Sequence, residues 1–340
     1  MSTQTFEAEG EAQPKRGPLL WTVLIVGALI VVATIASRLA TDYLWFRSID
    51  FQNVFTTQLA ARAGLIVGFG LVMFLIVYFS QVIAYRLRPK VRRANLDSEF
   101  LVQLRDALDS KSRVLMAIPA LALGVLGGLA ASSATGVFLA WLHATPFGWK
   151  DPYFNIDAGY YVFTQPWLQF VVGFLLFAFI AGGVAALAVH FMTGAMNSSA
   201  MRSRGNTPAS LGAQRQISVM LGIILLLVGA NALLDRFALT VTPNPLFTGI
   251  GYTDFDVRMP VTIIIAAICV ICAIACFVNA WKVRWAVPGA SIALLIVSSL
   301  ILGLLYPWLV QNFEVTPNWQ DKERPYITNN IKATRYAYGI

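Results

Sequence analysis

Four acids stand among aromatic and turn-forming residues: Asp151 and Asp157 within residues 145–163, and Asp254 and Asp256 just after Gly249-Ile250-Gly251-Tyr252. Carboxylates on separate loops can ligate calcium, which takes roughly six to eight oxygen ligands, so these four are the candidate metal ligands. Capping of turns is the commoner use of Asp and competes with that reading. Asp42 and Asp50 invite comparison with lipid-linked glycosyltransferases, whose carboxylates serve as base and metal ligand, but no adjacent acidic pair accompanies them. Cys269, Cys272 and Cys276 fall along one side of a single apolar helix; this geometry does not favour a bridge and suits small buried hydrophobes. His143 and His190 are the only histidines, so a zinc site would need ligands from distant elements. The last apolar stretch has no lysine for a retinal Schiff base. No catalytic set and no cofactor is expected.

The elements that must position these groups follow from the distribution of charge. Seven stretches contain no charged residue: 17–37, 63–85, 114–149, 158–201, 216–234, 259–281 and 285–313. Each accommodates the roughly 20 residues of helix that cross a hydrocarbon core of about 30 Å. The composition, 57% hydrophobic and 12% charged over 340 residues, lies far from a soluble domain, in which about a quarter of residues are charged. An all-α integral membrane protein of seven transmembrane helices is expected, with spans near 19–38, 63–85, 114–138, 167–192, 216–234, 260–281 and 287–310. A polar tail, residues 1–18, precedes this domain (19–312), and residues 313–340 follow it. The first apolar run is long for a signal-peptide core, and Ala36-Ser37-Arg38 is a poor cleavage site, so the first helix is expected to remain.

Lys and Arg alternate in density between successive gaps. One set of gaps holds Lys15 and Arg16, then Arg86, Arg88, Lys90, Arg92, Arg93, Arg105, Lys111 and Arg113, then Arg202, Arg204 and Arg215, then Lys282 and Arg284. The other set, with Arg47, Arg62, Lys150, Arg236 and Arg258, is sparse. The positive-inside bias predicts an amino terminus in the cytoplasm, a carboxyl terminus outside, and a cell-membrane location. Between the basic groups, Phe100, Leu104, Ala107 and Leu108 recur at helical spacing with acids on other faces, a pattern for a cytoplasmic amphipathic helix. It could lie on anionic lipid, with Arg86, Arg88, Lys90, Arg92 and Arg93 facing the head groups, or pack on the underside of the bundle. The net charge of +8 sits beside the spans rather than on a separate basic module, so lipid and not nucleic acid is the expected partner.

On the outer side, aromatic residues exceed what a headgroup belt requires. Tyr153, Tyr160, Tyr161, Tyr252, Tyr326 and Arg335 are the candidate interaction residues of an ordered outer cap. Several strings here carry a resemblance: Asp42-Tyr43-Leu44-Trp45-Phe46, Asp151-Pro152-Tyr153-Phe154, Tyr160-Tyr161-Val162-Phe163, Gly251-Tyr252-Thr253-Asp254, Phe313-Glu314-Val315-Thr316-Pro317-Asn318 and Glu323-Arg324-Pro325-Tyr326-Ile327. In this order they resemble uncharacterised protein family 0182, bacterial and largely actinobacterial inner-membrane proteins. The resemblance implies a seven-span region that continues into a large exported domain, with residues 313–340 at its start. It also implies, as a partner, a membrane-tethered Lon-like protease with a PDZ domain, and it supplies no catalytic residue.

Three functions compete. A scaffold that orients an exported domain or a partner protein needs an apolar bundle, small-residue seams and an outer platform. Gly64-x-x-x-Gly68, Gly124-x-x-x-Gly128 and Gly182-x-x-x-Ala186 are candidate seams, within the bundle or in a homo-oligomer. A transporter or channel would place ionisable or broken-helix elements in the midplane, where Pro119 and the stretch from Gly124 to Ser133 are the candidates. An outer-face lipid-linked enzyme would rest on the acids above. The scaffold is the expectation.

Overall fold

The computed structural model describes residues 18–88, 99–196, 210–244 and 247–340; the side chains of 18–21, 24 and 99–110 fall outside the described set. Among the described residues there is no strand, only two isolated antiparallel bridges, Lys150 to Asp157 and Pro243 to Thr248. The α-helices are α1 (Pro18–Ser48), α2 (Gln52–Arg86), α3 (Glu99–Ala131), α4 (Thr135–Leu142), α5 (Gln165–Met192), α6 (Leu211–Ala238), α7 (Met259–Lys282), α8 (Ala286–Ser298), α9 (Tyr306–Val310) and α10 (Trp319–Tyr338). Short 3-10 and π-helical turns join several of them end to end. Seven of the resulting helical stretches are long and apolar enough to cross a membrane: Ile25–Ser48, Gln52–Arg86, Lys111–Leu142, Tyr160–Met192, Leu211–Val241, Thr253–Lys282 and Ala286–Tyr338.

The chain divides into two compact units, Met1–Ala60 and Ala61–Ile340. In the first, α1 runs ten residues past the expected end of its span, and α2 starts after a three-residue turn. Asp50 takes a left-handed φ of 60° there, and the Phe51 N–H donates to the Phe46 carbonyl at 2.9 Å. Phe55 packs on Tyr43 and Phe46 at ring-centroid distances of 5.8 Å. The loop expected around Asp42 is therefore helix, because apolar and aromatic residues continue the turn-by-turn contact beyond Arg38.

In the second unit, small residues decide which helices approach. Gly128 lies so close to α2 that a Cβ would clash with the Ile66 carbonyl oxygen, and a Cβ on Gly124 would stand 2.9 Å from that of Gly70. Gly182 meets Ile76 and Ser80 in the same way. The Gly64 and Gly68 pair has nothing within 4 Å of its added Cβ, so among the described residues of this unit no helix meets this candidate seam. Met73 and Val77 of α2, Ala120 and Ala131 of α3, and Phe174 and Ala178 of α5 form the core between them. A second core holds Leu225 of α6 with Cys272, Ala273 and Cys276 of α7; all three cysteines are free and buried. α3 stays helical through Pro119, departs from helical dihedrals at Lys111 (φ −131°, ψ 40°), and gives way to a 3-10 turn at Ser132–Ala134 before α4.

Large apolar side chains point outward along the spans, with Val67 at 68%, Ile271 at 64% and Val184 at 62% exposure. In water such surface would drive association; a helix that satisfies its own backbone presents it to lipid. α5 and α6 run antiparallel. Phe154 and Tyr160 pack on Phe237 at one end, with centroids 4.9 and 5.5 Å apart, while His190 meets Gln216 at the other. We call these the aromatic end and the basic end.

Candidate interaction site

The aromatic end is assembled by carboxylates that organise backbone. In the loop before α5, Asp151 is 6% exposed. Its Oδ1 accepts the N–H groups of Tyr153 and Phe154 at 2.8 and 2.7 Å. Its Oδ2 accepts the Ile156 N–H at 3.0 Å and the Tyr161 hydroxyl at 2.7 Å. Asp157 performs the same task for Phe147, Gly148 and Gly159, whose N–H groups approach within 2.9 Å. Donation from the Phe147, Gly159 and Gly148 amides, outweighing some desolvation, holds the Asp157 carboxyl below its ordinary range. Gly159 is required there, since a Cβ would stand 2.7 Å from the Thr145 carbonyl oxygen.

In the loop before α7, Asp254 accepts from the Gly251 N–H and the Asn244 amide at 3.2 Å each, and it pairs with Arg258 at 2.9 Å. Asp256 accepts the Tyr326 hydroxyl at 2.7 Å. The four acids thus serve separate donor sets, and among the described residues no group of three or more His, Cys, Asp or Glu gathers in metal-binding geometry. Asp151, Asp157 and Asp254 accept from loop backbone N–H groups, the turn role that competes with calcium binding, and Asp256 accepts from a tyrosine hydroxyl.

The third component is α10. It is a 20-residue helix laid against both loops. Glu323, 8% exposed, accepts the Tyr252 N–H at 3.2 Å on each carboxylate oxygen. A Cβ on Gly251 would come within 3.1 Å of this carboxylate, so glycine permits the approach. Asn330 donates to the Thr248 carbonyl at 2.8 Å. Tyr326 stacks on Tyr153 with 12° between ring planes, meets Tyr252 edge to face, and shares Phe255 with Tyr153. Burial pushes the Tyr153 phenol above its ordinary range. Further along, Tyr336 packs on Trp149, and Lys322 bridges Glu314 at 2.6 Å and the Tyr252 hydroxyl at 3.1 Å. Asn244, Thr253, Asp254, Gln311, Trp319 and Glu323 are among the residues lining a cavity of about 370 Å³ where loop and helix meet.

The expected interaction residues therefore separate. Tyr153, Tyr252 and Tyr326 form one aromatic group. Tyr161 is a buried strut under Asp151, and Tyr160 packs inward on Phe237. Arg335 is exposed: nine residues at 100° each put it on the face of α10 opposite Tyr326. Glu323, Asn330 and Asn244 were not singled out from the sequence. The spacing of Glu323, Tyr326 and Asn330 at i, i+3 and i+7 marks one helix face and was the available signal. Of the lipid-facing cations, Arg86 and Arg88 are exposed, with Arg88 over the Tyr85 ring at 4.1 Å; Lys90, Arg92 and Arg93 lie outside the described residues.

Helices of this length and outward hydrophobicity, capped by polar loops, define an all-helical, multi-pass membrane protein. The chain belongs to the uncharacterised protein family UPF0182, whose model matches residues 19–340. Similar proteins include UPF0182 proteins of Streptomyces coelicolor, 36% identical over 95% of this chain and 32% of the relative, and of a Nocardioides species, 36% identical over 98% and 33%. One from Rhodococcus erythropolis is 34% identical over 95% and 33%. The chain spans about a third of the length of these relatives. No solved structure matches it.

Proposed function

We propose that this chain is the membrane scaffold of a larger assembly, anchoring and orienting an exported segment or a partner protein at the outer face of the cell membrane. The observation that carries this reading is the hold on α10, where Glu323, Tyr326 and Asn330 each bond to a loop about 70 to 80 residues earlier in the chain. A polar segment tied in this way leaves the membrane in one direction, so whatever is joined to it or docks on it inherits a fixed orientation. A loose linker would need none of these contacts.

The orientation belongs to the same proposal: amino terminus inside, aromatic end outside, residues 313–340 exported. The Lys and Arg asymmetry supports it, as does the concentration of Trp and Tyr at one end. Residues 99–110, helical up to the break at Lys111, are the segment whose sequence pattern suits the inner, anionic leaflet in this arrangement. Single cysteines at Lys111 and Thr248, in a background without Cys269, Cys272 and Cys276, should react from opposite sides of intact membranes; outer labelling at 111 would reverse the assignment.

The functional test is gentle purification from native membrane. A protein that stays bound to the natural sequence and is lost when Glu323 and Tyr326 are both replaced by Ala, with the helices still inserted, supports the scaffold; a membrane-tethered Lon-like PDZ protease is the partner type to look for. Recovery of a bound lipid-linked sugar and no protein would favour the enzyme instead.

A further inference from the structure

Beside the hold on α10, the aromatic end has a feature that the scaffold reading leaves unused. The cavity of about 370 Å³ between the loop before α7 and the start of α10 lies within the range of about 300–1,000 Å³ typical of small-molecule pockets. Two π-helical turns, Thr253–Arg258 and Gln311–Val315, supply Thr253, Asp254, Arg258, Gln311 and Val315 to its wall. Such turns are rare and frequently sit at functional sites. The Thr253 hydroxyl joins the two by donating to Gln311 Oε1. The cavity opens to solvent, since Arg258, Gln311, Thr316 and Trp319 of its lining are all exposed.

The chemistry of the wall narrows the ligand. Its accessible polar groups are chiefly donors. The Arg258 guanidinium spends one N–H on Asp254 and carries several more. Gln311 accepts through Oε1 and brings its amide N–H groups, and Trp319 brings an indole N–H. An ammonium group has no lone pair for any of these and would meet the charge of Arg258. A phosphate or carboxylate would meet the opposite obstacle, because Asp254 and Glu323 set two carboxylates against one guanidinium in this wall. Hydroxyl groups carry no charge and both accept and donate. Trp319, 44% exposed, adds a flat ring whose negative face suits the slightly positive C–H bonds on one side of a sugar ring.

We propose that this cavity binds a pyranose ring, free or as the head group of a glycolipid, stacked on Trp319 with hydroxyls accepting from Arg258 and Gln311. The ring would touch both π-helical turns and the first turn of α10, so its arrival should be felt in all three. This assignment is independent of the scaffold reading, because Trp319 lies outside the hydrogen bonds and ring contacts that hold α10.

The test is amide hydrogen exchange on the full chain in lipid nanodiscs, with the methyl glycosides of glucose, galactose, mannose and N-acetylglucosamine added in turn. At least one, at roughly four times its dissociation constant, should slow exchange in residues 251–258 and 311–323 about fivefold and leave α2 and α5 unchanged. Trp319→Ala should weaken binding about tenfold, so the same concentration slows exchange only about 1.4-fold, while α10 without sugar exchanges as in the natural sequence. Gln311→Glu keeps an oxygen for the Thr253 hydroxyl and removes the N–H donors, so it should weaken binding even if Trp319→Ala fails to fold. Discs carrying the diacylglycerol glycoside of the sugar that binds separate the two sources: protection without added glycoside marks a glycolipid head group, and protection only with it marks a free saccharide. No slowing by any of the four, equal slowing in natural sequence and Trp319→Ala, or greater slowing by choline or inorganic phosphate than by every glycoside would each overturn the proposal.

Discussion

At the aromatic end, Asp151 gathers four donors and Asp157 three, and aromatic rings close over the backbone they organise. At the basic end, one short chain of hydrogen bonds joins Ser80, Gln216 and His190 and another joins Ser218, Asn279 and Arg284. Both ends bury polar groups where helices of an apolar bundle begin and end. The difference lies in how the bonds are deployed: at the aromatic end they tie loops and α10 together across about 70 to 80 residues of chain, whereas at the basic end they join one helix to the next. Each end keeps one buried nitrogen without a hydrogen-bond partner among the described residues, Arg236 Nε at the first and His190 Nδ1 at the second.

The sharpest way to break this contrast is Asp151→Ala, which strips the acceptor from three backbone N–H groups and the buried Tyr161 hydroxyl. We expect a loss of about 4 kcal/mol, read as fast hydrogen exchange throughout residues 145–163 with α6 and α7 still protected. Gly128→Ala tests the bundle instead. Its Cβ would clash with the Ile66 carbonyl, and we expect about 2 kcal/mol of overpacking in a thermal melt, against no measurable change for Gly64→Ala. A finer probe is Tyr326→Phe, which keeps the stack on Tyr153 and removes only the bond to Asp256. It should lose about 1 kcal/mol and modestly speed proteolysis after residue 313, while Arg335→Ala on the opposite face of α10 should match the unaltered chain. The smallest effect is that of pH. Because the folded carboxyl of Asp157 is held below its ordinary range, its contribution is fully present above the unfolded-state value and is lost as pH falls through the folded one. Protection of the Phe147 and Gly148 amides, taken relative to the intrinsic pH-dependent exchange rate, should therefore fall in that acid window and stay constant above it.

Much of the fold was legible in the sequence, because seven uncharged runs of sufficient length admit few arrangements in lipid. The errors fell where hydropathy carries no signal. α1 continues to Ser48 because Tyr43 and Phe46 find Phe55, a contact that no local property announces. Residues 160–164 join the fourth helix because Tyr161 reaches back to Asp151. Glycine pairs at the same spacing proved unequal: Gly124 and Gly128 lie in a helix contact, and Gly64 and Gly68 do not, since a spacing names a helix face and not its neighbour. The acids of the cap were found, and turn capping was one of the two roles weighed for them; only the fold shows which donors each one serves. Glu323 escaped notice as one charge in a polar tail, although its helical spacing to Tyr326 and Asn330 was there to be counted.

The central claim is that α10 is clamped to the cap, and amide hydrogen exchange across residues 319–338 tests it most directly. An isolated helix of 20 residues with Pro325 in it would be marginal in water, so protection must come from the contacts of Glu323, Tyr326 and Asn330. The account expects these amides to be protected in the natural sequence and to exchange at least about tenfold faster when all three residues are replaced by Ala, with α6 unchanged. Equal exchange in the two proteins, or no protection in either, would contradict it.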